Sequence, residues 1–230
     1  MEANSMVEKV ILSWSGGKDS AMALRELLRD RQYQTESLLT TITKGYDRIS
    51  MHGVRVSLLD LQARALGLPI VKVFIPQAPS NEQYESTMRE VLEREHANGV
   101  TTVAFGDIFL ENIRRYREEK LSQVGMKAIF PIWKKDTREL ALEFIVAEFR
   151  AILTCVDSTQ LDRSFVGRTF DASLLSDLPV GVDPSGENGE FHTFVYDGPI
   201  FSQPISVRKG EIVLRENRFY YCDLLPDTGE

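Results

Sequence analysis

The sequence predicts an α/β fold: a doubly wound parallel sheet with helices on both faces and a small C-terminal α+β appendage. Three observations predict it. Apolar runs of strand length alternate with amphipathic segments of helix length over residues 7–158, the pattern of a parallel sheet with crossover helices. The first apolar run, Val10-Ile11-Leu12, passes at once into a glycine-rich turn and then a helical pattern. Residues 159–225 differ, with short segments rich in glycine, proline and aromatic residues, a composition suited to turns and antiparallel strands.

The elements follow in order. After Val10–Leu12, residues 21–29 place Ala21, Leu24, Leu27 and Leu28 on one helical face. Residues 38–43 form the second strand, and residues 56–66 a helix stopped by Gly67-Leu68-Pro69. Residues 70–75 form the third strand. Ser80 and Gln83 make a capping box for the next helix, which stops at Asn98-Gly99. Residues 101–105 form the fourth strand and lead into Gly106-Asp107-Ile108; residues 111–124 form a basic helix. A fifth strand spans 128–132. Asp136 and Glu139 then pair as a second capping box, and residues 151–156 complete the parallel sheet as its sixth strand. Beyond 159 the pattern predicts short helical pieces to 178, then strands at 191–196, 205–208, 211–216 and 218–222. Lys209-Gly210 and Asn217 are the expected turns between them.

Composition narrows the function. The 230 residues are 43% hydrophobic and 27% charged, enough for a sizeable core. A net charge of −7 argues against broad nucleic-acid binding. Cys155 and Cys222 fit neither a disulfide framework nor a zinc spacing. The N-terminus lacks a basic stretch followed by an apolar core, and no apolar run is long enough to span a membrane. The expected location is therefore cytoplasmic.

The segment Ser13-Trp14-Ser15-Gly16-Gly17-Lys18-Asp19-Ser20 carries the chemistry. Two glycines let the backbone bend so that successive N–H groups face one concavity, and the following helix adds its positive N-terminal end. Ser13, Ser15 and Ser20 add hydroxyls, and Lys18 adds a full charge. Asp19 suits a Mg²⁺ ion better than a phosphate, because like charges repel. The spacing is neither a Walker A loop nor a dinucleotide fingerprint. It suits the pyrophosphate end of ATP.

SGGKDS resembles the pyrophosphate loop of the N-type ATP pyrophosphatases, within the adenine nucleotide alpha hydrolase superfamily. That resemblance implies a Rossmann-like (HUP-type) sheet. Four further segments resemble the diphthine–ammonia ligase family: Ser50-Met51-His52-Gly53, Gly106-Asp107-Ile108, Pro131-Ile132-Trp133, and Gly186-Glu187-Asn188-Gly189-Glu190-Phe191-His192-Thr193-Phe194. The family resemblance implies ATP and Mg²⁺ as cofactors. It also implies adenylation of a carboxylate with release of pyrophosphate, and amide formation with ammonia. It assigns Ser15 to Ser20 to the phosphates, Met51 and the end of the second strand to the adenine, and Gly106 and Asp107 to the α-phosphate or its metal.

Chemistry adds candidates. Arg114 and Arg117 share a helical face and could hold an anion; Arg114 joins the cofactor-binding set. Glu190 and His192 share one side of a strand that includes both, and with Glu187 and Lys18 they form the expected catalytic set. Asp157 could line the same cleft. Family members usually carry glycine and an acid where this chain has Asn188 and His192. The acceptor is therefore diphthine, on a modified protein side chain, or another carboxylate. A tRNA-modifying pyrophosphatase and a nucleotide sensor without turnover share the loop and stand as alternatives. Strand edges in the C-terminal part offer a surface for a homodimer.

Overall fold

The computed structural model describes residues 7–46, 48–49 and 52–227. Its first sheet is built as the alternation predicts. Strand β1 (Glu8–Ser13) leads to α1 (Lys18–Arg29), and β2 (Tyr33–Thr43) to β3 (Arg48–Ile49) and α2 (Val56–Leu66). Next come β4 (Ile70–Ile75), α3 (Asn81–Ala97), β5 (Thr102–Ala104), α4 (Glu111–Ser122) and β6 (Lys127–Ile129). The parallel order is β4-β2-β1-β5-β6, with β3 antiparallel against the end of β2. Chain direction across the sheet reverses between β1 and β5. Their carboxyl ends flank a crevice, where parallel sheets of this kind bind ligands.

Side-chain alternation along β1 sorts the core. Val10 and Leu12 join one apolar cluster, whereas Ile11 joins the other, with Leu92 of α3 and Leu121 of α4. Both sheet faces are thus covered by helices. Local signals place the helix ends. Gly67 stops α2 at φ +67, with its N–H on Ala63 and Arg64 carbonyls. At Ser80 the capping box closes in both directions. At α5 (Thr137–Val146), Asp136 accepts from Glu139 N–H, and the return bond of the expected box does not form.

The last predicted parallel strand belongs elsewhere. β7 (Arg150–Asp157) pairs antiparallel with β8 (Phe191–Asp197) and β10 (Phe219–Pro226) in a second sheet of order β8-β7-β10-β9. Seven of its eight residues are buried, and an apolar run buried on both faces does not name its partner. One apolar cluster joins the two sheets, from Val10 and Leu24 through Leu153 and Phe194 to Leu224. The helical pieces expected between 160 and 178 are a 3₁₀ turn at Arg163–Phe165 and α6 (Ala172–Asp177).

Lys209-Gly210 is also not a turn. β9 (Val207–Arg215) runs straight through it. Gly210 faces the bulge where β10 shifts register between Cys222 and Leu224, and a Cβ there would come within 3.3 Å of the Asp223 carbonyl oxygen. The glycine answers a close backbone approach. The Asn217 turn forms as expected, with Glu216 and Asn217 at φ +53 and +51, as a primed turn requires.

Candidate active site

The loop between β1 and α1 is held from three sides. Gly16 turns at φ +79, and a Cβ there would stand 2.7 Å from Gln62 Oε1. At Gly17 a Cβ would meet the Thr193 carbonyl oxygen at 3.0 Å, and at Gly106 it would meet Ser20 N and the Asp19 carbonyl carbon at 2.9 Å. Each glycine permits an approach that a side chain would block. Inside the loop, Ser20 Oγ donates to the Gly17 carbonyl at 2.8 Å and lies 3.3 Å from Ser15 Oγ. Lys18 N–H donates to Thr193 Oγ1 at 3.0 Å, so β8 occupies one of the donors at the helix start.

Gln62, fully buried in α2, ties the loop to the second sheet. Its Nε2 donates to the Gly16 carbonyl at 3.0 Å and the Val195 carbonyl at 2.7 Å, and its Oε1 accepts from Trp14 Nε1 at 2.9 Å. Val195 N–H also donates to the Gly16 carbonyl, at 2.9 Å. The loop is therefore positioned by residues far from it in sequence.

A cavity of about 280 Å³ opens above the loop. Its walls carry opposed charges. Lys18, only 3% exposed, has Nζ 2.5 Å from Asp19 Oδ1. Arg117 Nη2 donates to Asp107 Oδ1 at 3.0 Å, and Arg117 Nε lies 2.8 Å from Oδ2 without hydrogen-bond alignment. Arg117 also stacks over Phe105, 4.2 Å from the ring centre. Burial raises the Asp19 carboxyl pKa; Lys18 opposes the shift, and Asp183 and Asp107 add to it. Burial likewise lifts Glu187 to about 7, against the Ile108 N–H that donates to it at 2.7 Å. The opposite applies to two imidazoles whose rings are 4.5 Å apart. Burial and then Lys18 bring His192 down to about 4. Burial and then His192 hold His52 well below the usual histidine range.

A second cavity of about 650 Å³ adjoins the first. It runs between the end of β2 and helices α3 and α4, past Leu39, Thr41, Ile75 and Met88. Ser13, Ser15, His52, Phe105 and Arg117 line both spaces. One compartment is charged and the other, larger one is mainly apolar.

A family model described as the diphthamide synthase N-terminal domain matches residues 8–128, and one for the diphthamide synthase C-terminal domain matches 136–224. The chain belongs to the diphthamide synthase family. Curated relatives carry the name diphthine–ammonia ligase. The Schizosaccharomyces pombe protein is 26% identical over 224 residues, covering 89% of this chain and 37% of that protein. The Homo sapiens protein is 25% identical over 188 residues (74% and 67%), and the Mus musculus protein 26% over 233 residues (87% and 83%). The chain thus spans well under half of the first relative and most of the last. The family expected from SGGKDS and GENGEFHTF is the one found. The tRNA-modifying and sensor readings gain nothing from these relatives.

Within this family member, the structure brings most of the expected site residues together. Ser13, Ser15, Gly17, Lys18, Asp19, Ser20, Gly106, Asp107, Glu187 and His192 all line the smaller cavity. Gly16 lies behind it, against Gln62. Met51 lies outside the described residues. Two placements differ from expectation. Arg114 is paired with Glu118 at 2.7 Å and packs over Trp133 and Phe130, so the arginine in the cavity is Arg117. Glu190 precedes β8 and turns into its own loop. Its carboxylate accepts from Asp183 N–H, Asn188 N–H and Asn188 Nδ2 at 2.9–3.1 Å, so that it shapes the turn that presents Glu187. Asp157 is buried on Arg218 and Thr159, away from the cavity.

Sequence reasoning passed over Gln62 and Thr193 as supports and His52 as a wall of both cavities. His52 lay within a quoted motif. Gln62 had one weak signal, a polar residue on the apolar face of a helix.

Proposed function

We propose that this chain is an AMP-forming ligase that uses ATP to join ammonia to the carboxylate of diphthine. The carrying observation is the pair of adjoining cavities at the crevice between β1 and β5. Adenosine fits the larger space, and a triphosphate reaching toward Lys18 fits the smaller. The α-phosphorus then falls near their junction, beside Arg117. Residues 159–225 wall the smaller cavity through Glu187 and His192.

A carboxylate does not react with ammonia at neutral pH, because oxide is a poor leaving group. Transfer of AMP supplies a good one. Charge building on the departing pyrophosphate is met by Lys18, Arg117 and the start of α1.

The residues present fit a Mg²⁺ ion. Asp19 and Asp107 border one cavity closely enough for Asp107 to raise the Asp19 pKa. Among the described residues no group of three histidine, cysteine or acidic side chains surrounds a metal position. Asp19 and Asp107 would hold the ion, and it would neutralise charge on the phosphates.

The test is product analysis with α-labelled ATP and a diphthine-bearing protein. AMP and pyrophosphate should form in step with the amide. ADP and phosphate would overturn the reading.

A further inference from the structure

His52 stands where the two cavities meet. Its Nδ1 is buried, and among the described residues no hydrogen-bonding partner reaches it. A buried ring nitrogen without a partner is costly, and a bound ligand would remove that cost. The ring is braced on both sides. His192 packs against it at 4.5 Å, and Gly17 leaves room for it, since a Cβ there would come within 3.4 Å of His52 Cε1.

We infer that His52 Nδ1 docks ammonia by accepting a hydrogen bond from one of its N–H groups, aiming the nitrogen lone pair at the acyl-adenylate, with His192 positioning the ring. This rests on the ligase reading above. The nitrogen lone pair forms the C–N bond, and the bond from the acyl carbon to the phosphate oxygen breaks, its electrons leaving with AMP. One N–H proton passes to water. Acyl-adenylate and ammonia thus become amide, AMP and a proton.

A further feature suits neutral ammonia. Burial, with Lys18 adding to it, lowers the pKa of both imidazoles, and a neutral imidazole nitrogen accepts a hydrogen bond from ammonia. His52 rather than His192 holds ammonia because His52 borders both cavities, whereas His192 borders only the smaller one.

The experiment uses His52→Asn and His52→Ala in the full chain, with thermal unfolding to show that each folds. Three rates are compared with a diphthine-bearing protein: ATP–pyrophosphate exchange without ammonia, amide formation across ammonium chloride concentrations at fixed pH, and hydroxamate formation from hydroxylamine. Ammonia-dependent amide formation should fall by about 10²-fold more than exchange does. Hydroxylamine is the stronger nucleophile and depends less on being held in place, so hydroxamate formation should fall much less. Equal loss in all three assays would make His52 a support for ATP or for the fold and overturn the inference. Undiminished amide formation would also overturn it. If the unmodified chain shows no exchange, the ligase reading itself fails.

Discussion

Two sets of carboxylate–cation pairs in this protein use the same groups to opposite ends. In the smaller cavity two carboxylates each have one cation: Asp19 has Lys18, and Asp107 has Arg117. In the second sheet two carboxylates are saturated. Asp223 of β10 takes Arg48 at 2.9 Å and Arg55 at 2.6 Å, and Asp157 takes Arg218 together with the Thr159 N–H and hydroxyl. The direction of the pKa shifts separates them. Burial raises Asp19. Burial also raises Asp223, but Arg55 and Arg48 outweigh it and bring that carboxyl down to about 2. Hydrogen bonds from Arg218 hold Asp157 far below the usual range. A saturated pair is a clasp. A pair beside an open cavity, with its carboxyl pKa raised rather than lowered, is one that a ligand can open.

The largest effect should come from opening the exchangeable pair. Lys18→Ala should cut AMP formation by about 10²- to 10³-fold, while the melting temperature barely changes. Unreduced turnover would dissolve the distinction between the two sets.

Breaking the clasp should do the reverse. Asp223→Ala strands Arg48 and Arg55, which link β3 and the start of α2 to β10. Losing hydrogen bonds to charged groups should cost about 2–3 kcal/mol of stability in chemical denaturation, with turnover of the folded protein kept. A turnover loss like that of Lys18→Ala would place Asp223 in the site.

Gln62→Leu tests a link between the regions. It leaves Trp14 Nε1 and the Val195 carbonyl without Gln62, and removes one of two donors to the Gly16 carbonyl. A cost of about 1–2 kcal/mol should come with weaker ATP binding by calorimetry. Weaker stability with unchanged ATP affinity would reduce Gln62 to packing.

The smallest effect concerns pH. Glu187 in the folded, ligand-free protein titrates near 7 rather than 4.5. The folded state thus holds more protons than the unfolded one between those values, and this group's contribution to stability falls as pH rises through the window. His192, neutral in the folded state down to about 4 against 6.5 unfolded, slopes the other way between those values. Glu187→Gln removes the first slope and keeps the second. Its stability relative to the unmodified chain should rise from pH 4.5 to 7; a pH-independent difference would show that Glu187 is charged throughout.

Much of the cavity was legible because its residues are adjacent in sequence. SGGKDS and GDI are single turns after single strands, and the main-chain path there follows from glycine and helix-start chemistry. Arg114 and Arg117 show the limit. Sequence spacing puts both on one helical face. Only the packed structure shows Arg114 spent on Glu118, Phe130 and Trp133 while Arg117 reaches Asp107. Glu190 is similar, since whether β8 begins before or after it decides where its carboxylate points.

By itself the sequence determined the alternation of strands and helices, the two-faced cores and the family. These depend on local periodicity, on caps such as Ser80 and Gln83, and on motifs of a few consecutive residues. Tertiary structure decided that β7 leaves the parallel sheet and that Gly210 lies within a strand. It also placed Gln62, Thr193 and His52 around the loop between β1 and α1. Those outcomes depend on which distant backbone supplies a hydrogen-bond partner, and apolar runs and buried polar side chains do not encode that partner locally.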